Sequence, residues 1–321
     1  MLKTKTIIVL SFSVLLSFFS VVTSVTYAQA DSILTSTGPL QSLTKTLVAD
    51  TAIEVINVPS EAVGLSEQAS SLAQSDDVFS RAKAVVTIDS LWSADPLFAS
   101  VKAVNDSAVN IDATTGITAA NAHSTETTSP YFWLSPANVA QSAQNVAAEL
   151  SELFPDSATQ IKTNEQALIT TLNEAQAKFK QTLSEHDFKV FGLADEFVYL
   201  TNEFEIPVTG YFIKPEAEWT VDDFGELIKI LYDHGRPHAI HKHETGRDIG
   251  LSVTTGGSRM LILETYETST EDIVTIATGN LAKITDALTM PQGRGGMGGG
   301  MGGGGMGGGM GGGPDGGEFA D

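Results

Sequence analysis

The sequence predicts an α/β protein of two lobes, each built on a mostly parallel sheet, joined by one long backbone helix. Three observations carry this expectation. Short β-branched runs alternate with helical segments twice over, once before residue 129 and again after residue 187. Between the two series, residues 156–186 contain no proline or glycine, and Ile161, Leu168, Leu172, Ala175, Phe179 and Leu183 recur at three, four or seven residues. That is one apolar stripe on a 3.6-residue period, on a helix of roughly 40 Å, long enough to cross a whole domain. A length of 321 residues with 42% apolar side chains supplies two ordinary cores.

Taken in order, ILTSTG (33–38) reads as a strand and 39–48 as a helix with Pro39 near its start. AIEVINV (52–58) is a second strand by its β-branched content, 66–79 a helix of small and polar residues, and AVVTID (84–89) a third strand. A short helix over 95–104 and a strand over 108–113 complete the first series, followed by a Thr- and Ala-rich loop holding His123. Pro155 and Asp156 punctuate the start of the long helix, and His186-Asp187 ends it. The second series has strands at 189–193, 205–212, 238–244 and 259–265, and helices at 195–204, 220–235, around 247–252 and at 271–288. The helix from Thr220 is the best signalled: Thr220 can cap it, Asp222 and Asp223 suit its positive end, and Gly235 follows its last turn.

The expected organisation is a secretory leader over 1–30, a first lobe over 31–155, the linking helix over 156–186, a second lobe over 187–290 and a Gly/Met-rich tail over 291–321. The leader has Lys3 and Lys5, an apolar run from Ile7, and Ala28-Gln29-Ala30 as a small-x-small cleavage site. Its apolar run is long enough that an uncleaved N-terminal anchor is the alternative. After cleavage no apolar span remains, so the mature chain is expected outside the cytoplasm: secreted, periplasmic or at the cell surface. The tail's glycine density leaves it without the means to repay its ordering entropy, which makes it a flexible segment.

The chain is acidic, with 18 Lys+Arg against 39 Asp+Glu and a net charge of −21, and it becomes more negative once a leader carrying Lys3 and Lys5 is removed. That argues against nucleic acid or an anionic membrane as partner, and suits a soluble exported protein or a cation binder. Cysteine is absent, so disulfides, thiolate metal sites, cysteine nucleophiles and a lipid anchor on an N-terminal cysteine are excluded. A metal here must use His, Asp/Glu, Tyr or Met.

The run Ser-Pro-Tyr-Phe-Trp-Leu-Ser-Pro (129–136), followed by two helices, resembles the metal-binding receptors of ABC importers. These are the zinc/manganese-type solute-binding proteins (cluster A-I), and the likeness is to a divergent, zinc-uptake-receptor-like member. The resemblance covers about residues 31 to 290 and implies two αβ lobes joined by a rigid helix, a metal bound between them, and an ABC permease as partner. Its ligand set is not kept. NVPSEAVGLSEQ (57–68) lacks the first histidine, Tyr131 stands at the second, and Ala194 precedes Asp195 where the third is expected. Only the carboxylate at the end of a late strand has a counterpart, Glu264.

Four of the six histidines, His234, His238, His241 and His243, fall within ten residues. In a strand, residues two apart share a face, so His241 and His243 present two imidazoles side by side. By the resemblance, this strand ends near the cleft beside that of Glu264, with Tyr131 opposite. The expected metal site is therefore His241, His243, Glu264 and Tyr131, with His238 ranked behind them, binding a transition metal such as Zn or Cu. The plain alternative is a solvated edge of histidines beside Lys242, Arg236 and Glu244. Met297, Met301, Met306 and Met310 offer thioethers suited to Cu(I), or else mark a glycine spacer.

No nucleophile elbow, dinucleotide fingerprint or phosphate loop occurs, and acids such as Asp195 and Glu196 at a helix start serve the helix dipole. An enzyme is not expected. The expected function is an extracytoplasmic solute-binding protein that takes a transition-metal cation between two lobes for ABC-type uptake. The alternative is a non-transport extracellular scaffold, or a copper-handling protein that keeps the fold.

Overall fold

A computed structural model of the chain describes residues 32–58, 64–67, 72, 76–93 and 95–289. The expected leader, the expected Gly/Met tail and half of the expected 66–79 helix lie outside the described residues. The described part of that helix is α2 (Asp76–Phe79), preceded by a 3₁₀ turn at Leu65–Glu67.

The first lobe runs β1 (Ser32–Thr35), α1 (Gly38–Leu47), β2 (Glu54–Asn57), α2, β3 (Ala82–Thr87), α3 (Leu97–Val104) and β4 (Val109–Asp112). After α4 (Pro136–Leu153) and α5 (Ala158–Ser184), the second lobe runs β5 (Val190–Gly192), α6 (Val198–Glu203), β6 (Val208–Tyr211), α7 (Val221–Asp233), β7 (His238–His241), α8 (Arg247–Thr255), β8 (Met260–Ile262) and α9 (Ile273–Thr289). Both sheets are wholly parallel, in the orders β2-β1-β3-β4 and β6-β5-β7-β8. Parallel strands need crossovers, and the helices between them bury both faces of each sheet.

Alternation along the strands sorts the cores. Ile33, Ala84, Val86, Val190 and Ile240 face a continuous core that also holds Trp133, Leu150, Ile161, Leu172, Phe179 and Ile284. Their neighbours Leu34 and Val85 join an outer cluster with Leu97 and Val101, and Phe191 and Ala239 join another with Leu227, Leu231 and Val253. One core therefore runs through both lobes.

The long helix is present over 27 residues, with Ile161, Leu168, Leu172 and Phe179 buried and Ala175 and Leu183 half-buried, the stripe read from the sequence. It packs along α4 and against α1 and α9. It ends where the His186 ring takes the carbonyl of Thr182 at 2.9 Å, satisfying a last-turn acceptor. The closing helix α9 reaches back to α1 as well, so it braces both lobes.

The Ser-Pro-x-x-Trp-Leu-Ser-Pro run is the joint between lobes. Ser135 caps α4 by accepting from the Asn138 N–H at 3.2 Å, with Pro136 in the first turn. Glu203 of α6 accepts from the Ala137 N–H at 3.2 Å and from the Ser135 hydroxyl, placing a carboxylate at the positive end of α4. Trp133 is fully buried and donates its indole N–H to the Thr265 carbonyl at 2.7 Å. The 264–272 loop presses so closely on α1 that a Cβ on Gly38 would lie 2.1 Å from the Ser269 oxygen, which only glycine permits. Among the described residues no helix is long and apolar enough to cross a membrane.

Candidate metal site

The second sheet's strand order reverses between β5 and β7, and parallel sheets bind ligands outside the carboxyl ends of their strands at such a point. A cleft of about 550 Å³ opens there. Its walls are Ala194 to Glu196 after β5, Ile213 to Glu216 after β6, His241 to His243 from the end of β7, and Ser124 from the first-lobe loop. That loop is tied down: the Ser124 N–H donates to Asp195 at 2.6 Å, and the His123 ring stacks on Tyr211 at 4.2 Å.

Within the cleft, one ligand atom each from Glu216, His241 and His243 lie within 4.8 Å of one another. His243 Nε2 is 3.5 Å from Glu216 Oε1, about the ligand-to-ligand edge of a tetrahedral shell with zinc–ligand distances near 2.1 Å. The other Glu216 oxygen accepts from the Gly246 N–H at 3.1 Å, which fixes the carboxylate and leaves Oε1 for the cleft. His241 is 8% exposed, and its Nδ1 lies 3.0 Å from the His243 carbonyl. The His243 N–H lies 3.2 Å from the same Nδ1, so the His243 backbone engages this ring nitrogen through both its C=O and its N–H and fixes the orientation of the ring. Burial, then the neighbouring His243, lowers the His241 pKa and keeps the ring neutral.

The expected residues separate. His241 and His243 come together, but not through the strand pleat: β7 stops at His241, and the chain bends so that the two rings stand nearly perpendicular, 4.2 Å apart. Glu264 does not join them. It is exposed, its carboxylate is held by Lys283 at 2.9 Å, and its N–H is taken by Asn280. His238 sits three residues back, at the other end of β7, against Phe188. That is roughly 10 Å of strand from His241 and on the opposite face. Tyr131 donates its hydroxyl to Glu267 at 3.2 Å, and burial followed by the Glu267 and Glu196 charges pushes its pKa well above the usual range, so it stays a phenol.

Glu267 also accepts from the Leu65 N–H. It thus ties Leu65 and Tyr131 of the first lobe to the loop after β8 in a hydrogen-bonded latch across the lobes, with Tyr131 at one of the positions where the resemblance implies a histidine ligand. Glu216 and Glu267 carry no sequence signal of their own. Glu216 lies 25 residues before His241 in KPEAEWT and reaches it only because β6, β5 and β7 are neighbours.

The profile of the family described as zinc-uptake complex component A, periplasmic, matches residues 33–287. No curated protein sequence matches the chain. Among solved structures, the fold is similar to that of ZnuA, with 22% identity and a TM-score of 0.64 over 81% of this chain and 100% of that one. The metal-dependent lipoprotein YcdH from Bacillus subtilis is also similar, with 18% identity and a TM-score of 0.67 over 80% and 98%. So is the SBP FpvC of Pseudomonas aeruginosa in complex with Ni²⁺, at 17% identity and a TM-score of 0.63 over 81% and 97%. A profile match over most of the chain, on a two-lobe fold with one long helix, places this protein in the periplasmic zinc-uptake component A family, which consists of solute-binding proteins rather than enzymes.

Proposed function

We infer that the chain is an extracytoplasmic receptor that holds a divalent transition-metal cation on His241, His243 and Glu216, and delivers it to an ABC permease. The observation that carries this reading is the convergence of two imidazoles and a carboxylate within 4.8 Å in an open cleft at the strand carboxyl ends. Two nitrogens and an oxygen suit Zn, Cu or Ni. The cargo seat is therefore displaced from the family's interlobe position to the rim of the second sheet. Glu216 supplies the carboxylate expected of Glu264, and Tyr131 serves the lobe latch. Family membership supports handover to a permease, and the leader's sequence plan supports export. The net charge of −21 concentrates cations near the protein without choosing among them.

The test is metal content of the full chain after dialysis against micromolar zinc, copper and nickel. One equivalent of one of them, lost in His241→Ala, supports the receptor reading. No metal taken up from any of the three would sink it.

A further inference from the structure

The cleft holds one more carboxylate, and its bonding is lopsided. Glu196, in the turn after β5, has a side chain only 13% exposed, with Oε1 held by the ammonium of Lys242. Its Oε2 is buried and has no hydrogen-bond partner among the described residues. A buried carboxylate oxygen without a donor is costly, so one on a residue that lines a binding cleft points to a partner that arrives with the ligand. Lys242 stands in the chain between the two histidine ligands, and both it and Glu196 line the same cleft as His241, His243 and Glu216. Glu196 also lies close enough to His241 for its charge to act on the imidazole.

We propose that Lys242 is the resident counter-ion of the site, and that a doubly charged cation seated on His241, His243 and Glu216 takes Glu196 from it as a fourth ligand. This rests on the receptor reading above. Three protein donors leave a tetrahedral cation one short, and Glu196 completes the shell as two nitrogens and two oxygens. It stands outside the group of three in the described arrangement, held back by its ion pair, so its carboxylate turns when that pair breaks.

Charge decides the exchange. With Glu216 and Glu196 both ionised, a divalent cation alone neutralises the pair, whereas cation and ammonium together leave one positive charge in excess and repel each other. The lysine can leave: its side chain is already 43% exposed and rides on a flexible four-carbon stem. A singly charged ion brings no more charge than the ammonium it would displace and gains nothing. Lys242 therefore sets the selection of divalent over monovalent cations.

The experiment is calorimetric titration of zinc chloride into the full chain and its variants at fixed ionic strength. Lys242→Met is expected to tighten zinc binding about tenfold by removing the competitor, Lys242→Arg to stay near wild type, and Glu196→Gln to weaken binding about tenfold. The deciding readout is the double variant: Lys242→Met in the Glu196→Gln background changes the Kd little, because the lysine acts through that carboxylate. Zinc binding that is lost in His241→Ala yet indifferent to Lys242→Met, or raised equally in both backgrounds, overturns the counter-ion role and leaves the receptor reading standing. Absence of zinc binding in every form, wild type included, overturns both.

Discussion

The two sheets share one strand order and are both wholly parallel, but their carboxyl-terminal rims differ in chemistry. On the first rim the polar groups satisfy one another: Ser36 donates to Asp95 at 2.6 Å, Asn110 to Asp89 at 2.7 Å, and Ser90 to Asp112. Asp95 accepts the Leu97 N–H as well, so even this buried carboxyl, its pKa raised chiefly by desolvation, is fully engaged. On the second rim, ligand atoms of Glu216, His241 and His243 converge within 4.8 Å beside a cleft, and the buried Glu196 Oε2 has no partner among the described residues. A rim whose donors and acceptors close on themselves serves the fold. One that leaves lone pairs facing open space is built for something that arrives from outside.

The contrast can be broken most forcefully at the joint both rims depend on. Trp133→Ala removes a fully buried side chain and its bond to Thr265, and is expected to cost about 3–5 kcal/mol in urea denaturation. Tyr131→Phe is gentler and sharper. It removes the hydroxyl that reaches Glu267, with an expected loss of about 1.5 kcal/mol, and leaves zinc affinity unchanged because the latch is not the seat. Thr220→Ala undoes the capping box of α7, whose Thr220 and Asp223 bond reciprocally, for about 1 kcal/mol. Because the same turn carries Glu216, zinc affinity in that variant falls slightly, as calorimetry would show.

The smallest effect is on pH. Burial holds the His238 and His241 pKa values below 6.5, so the unfolded chain binds more protons than the folded one in the window beneath that value. Stability of the metal-free protein therefore falls as pH drops through 6.5 and levels off once the folded-state values are passed. His238→Phe should flatten that fall in thermal unfolding without touching zinc affinity, whereas His241→Ala should do both.

The fold was legible because its signals are local. The Ile161-to-Phe179 stripe, the Thr220 cap and the alternation of strands with helices each lie within a few turns of chain. The histidine pair was legible by density alone, although a bend at the end of β7, rather than the pleat, brings the rings together. Glu216 and Glu267 were not legible. Each is one acid among 39 Asp and Glu, and only the tertiary neighbourhood of β6, β5 and β7, or the docking of the 264–272 loop, gives it a role. Glu264 followed the resemblance to a strand end where Lys283 and Asn280 had already engaged it.

The central claim is that the cation sits on the second rim and not at the interlobe latch, and one paired titration tests it. Zinc is titrated into the full chain, into His241→Ala/His243→Ala and into Tyr131→Phe/Glu267→Gln, with folding of each checked by circular dichroism. Tight one-to-one binding is expected to be lost in the first double variant, by more than about a hundredfold as both imidazole ligands go, and kept in the second. Binding that survives loss of both histidines but disappears with Tyr131 and Glu267 would contradict it, and would return the seat to the cleft between the lobes.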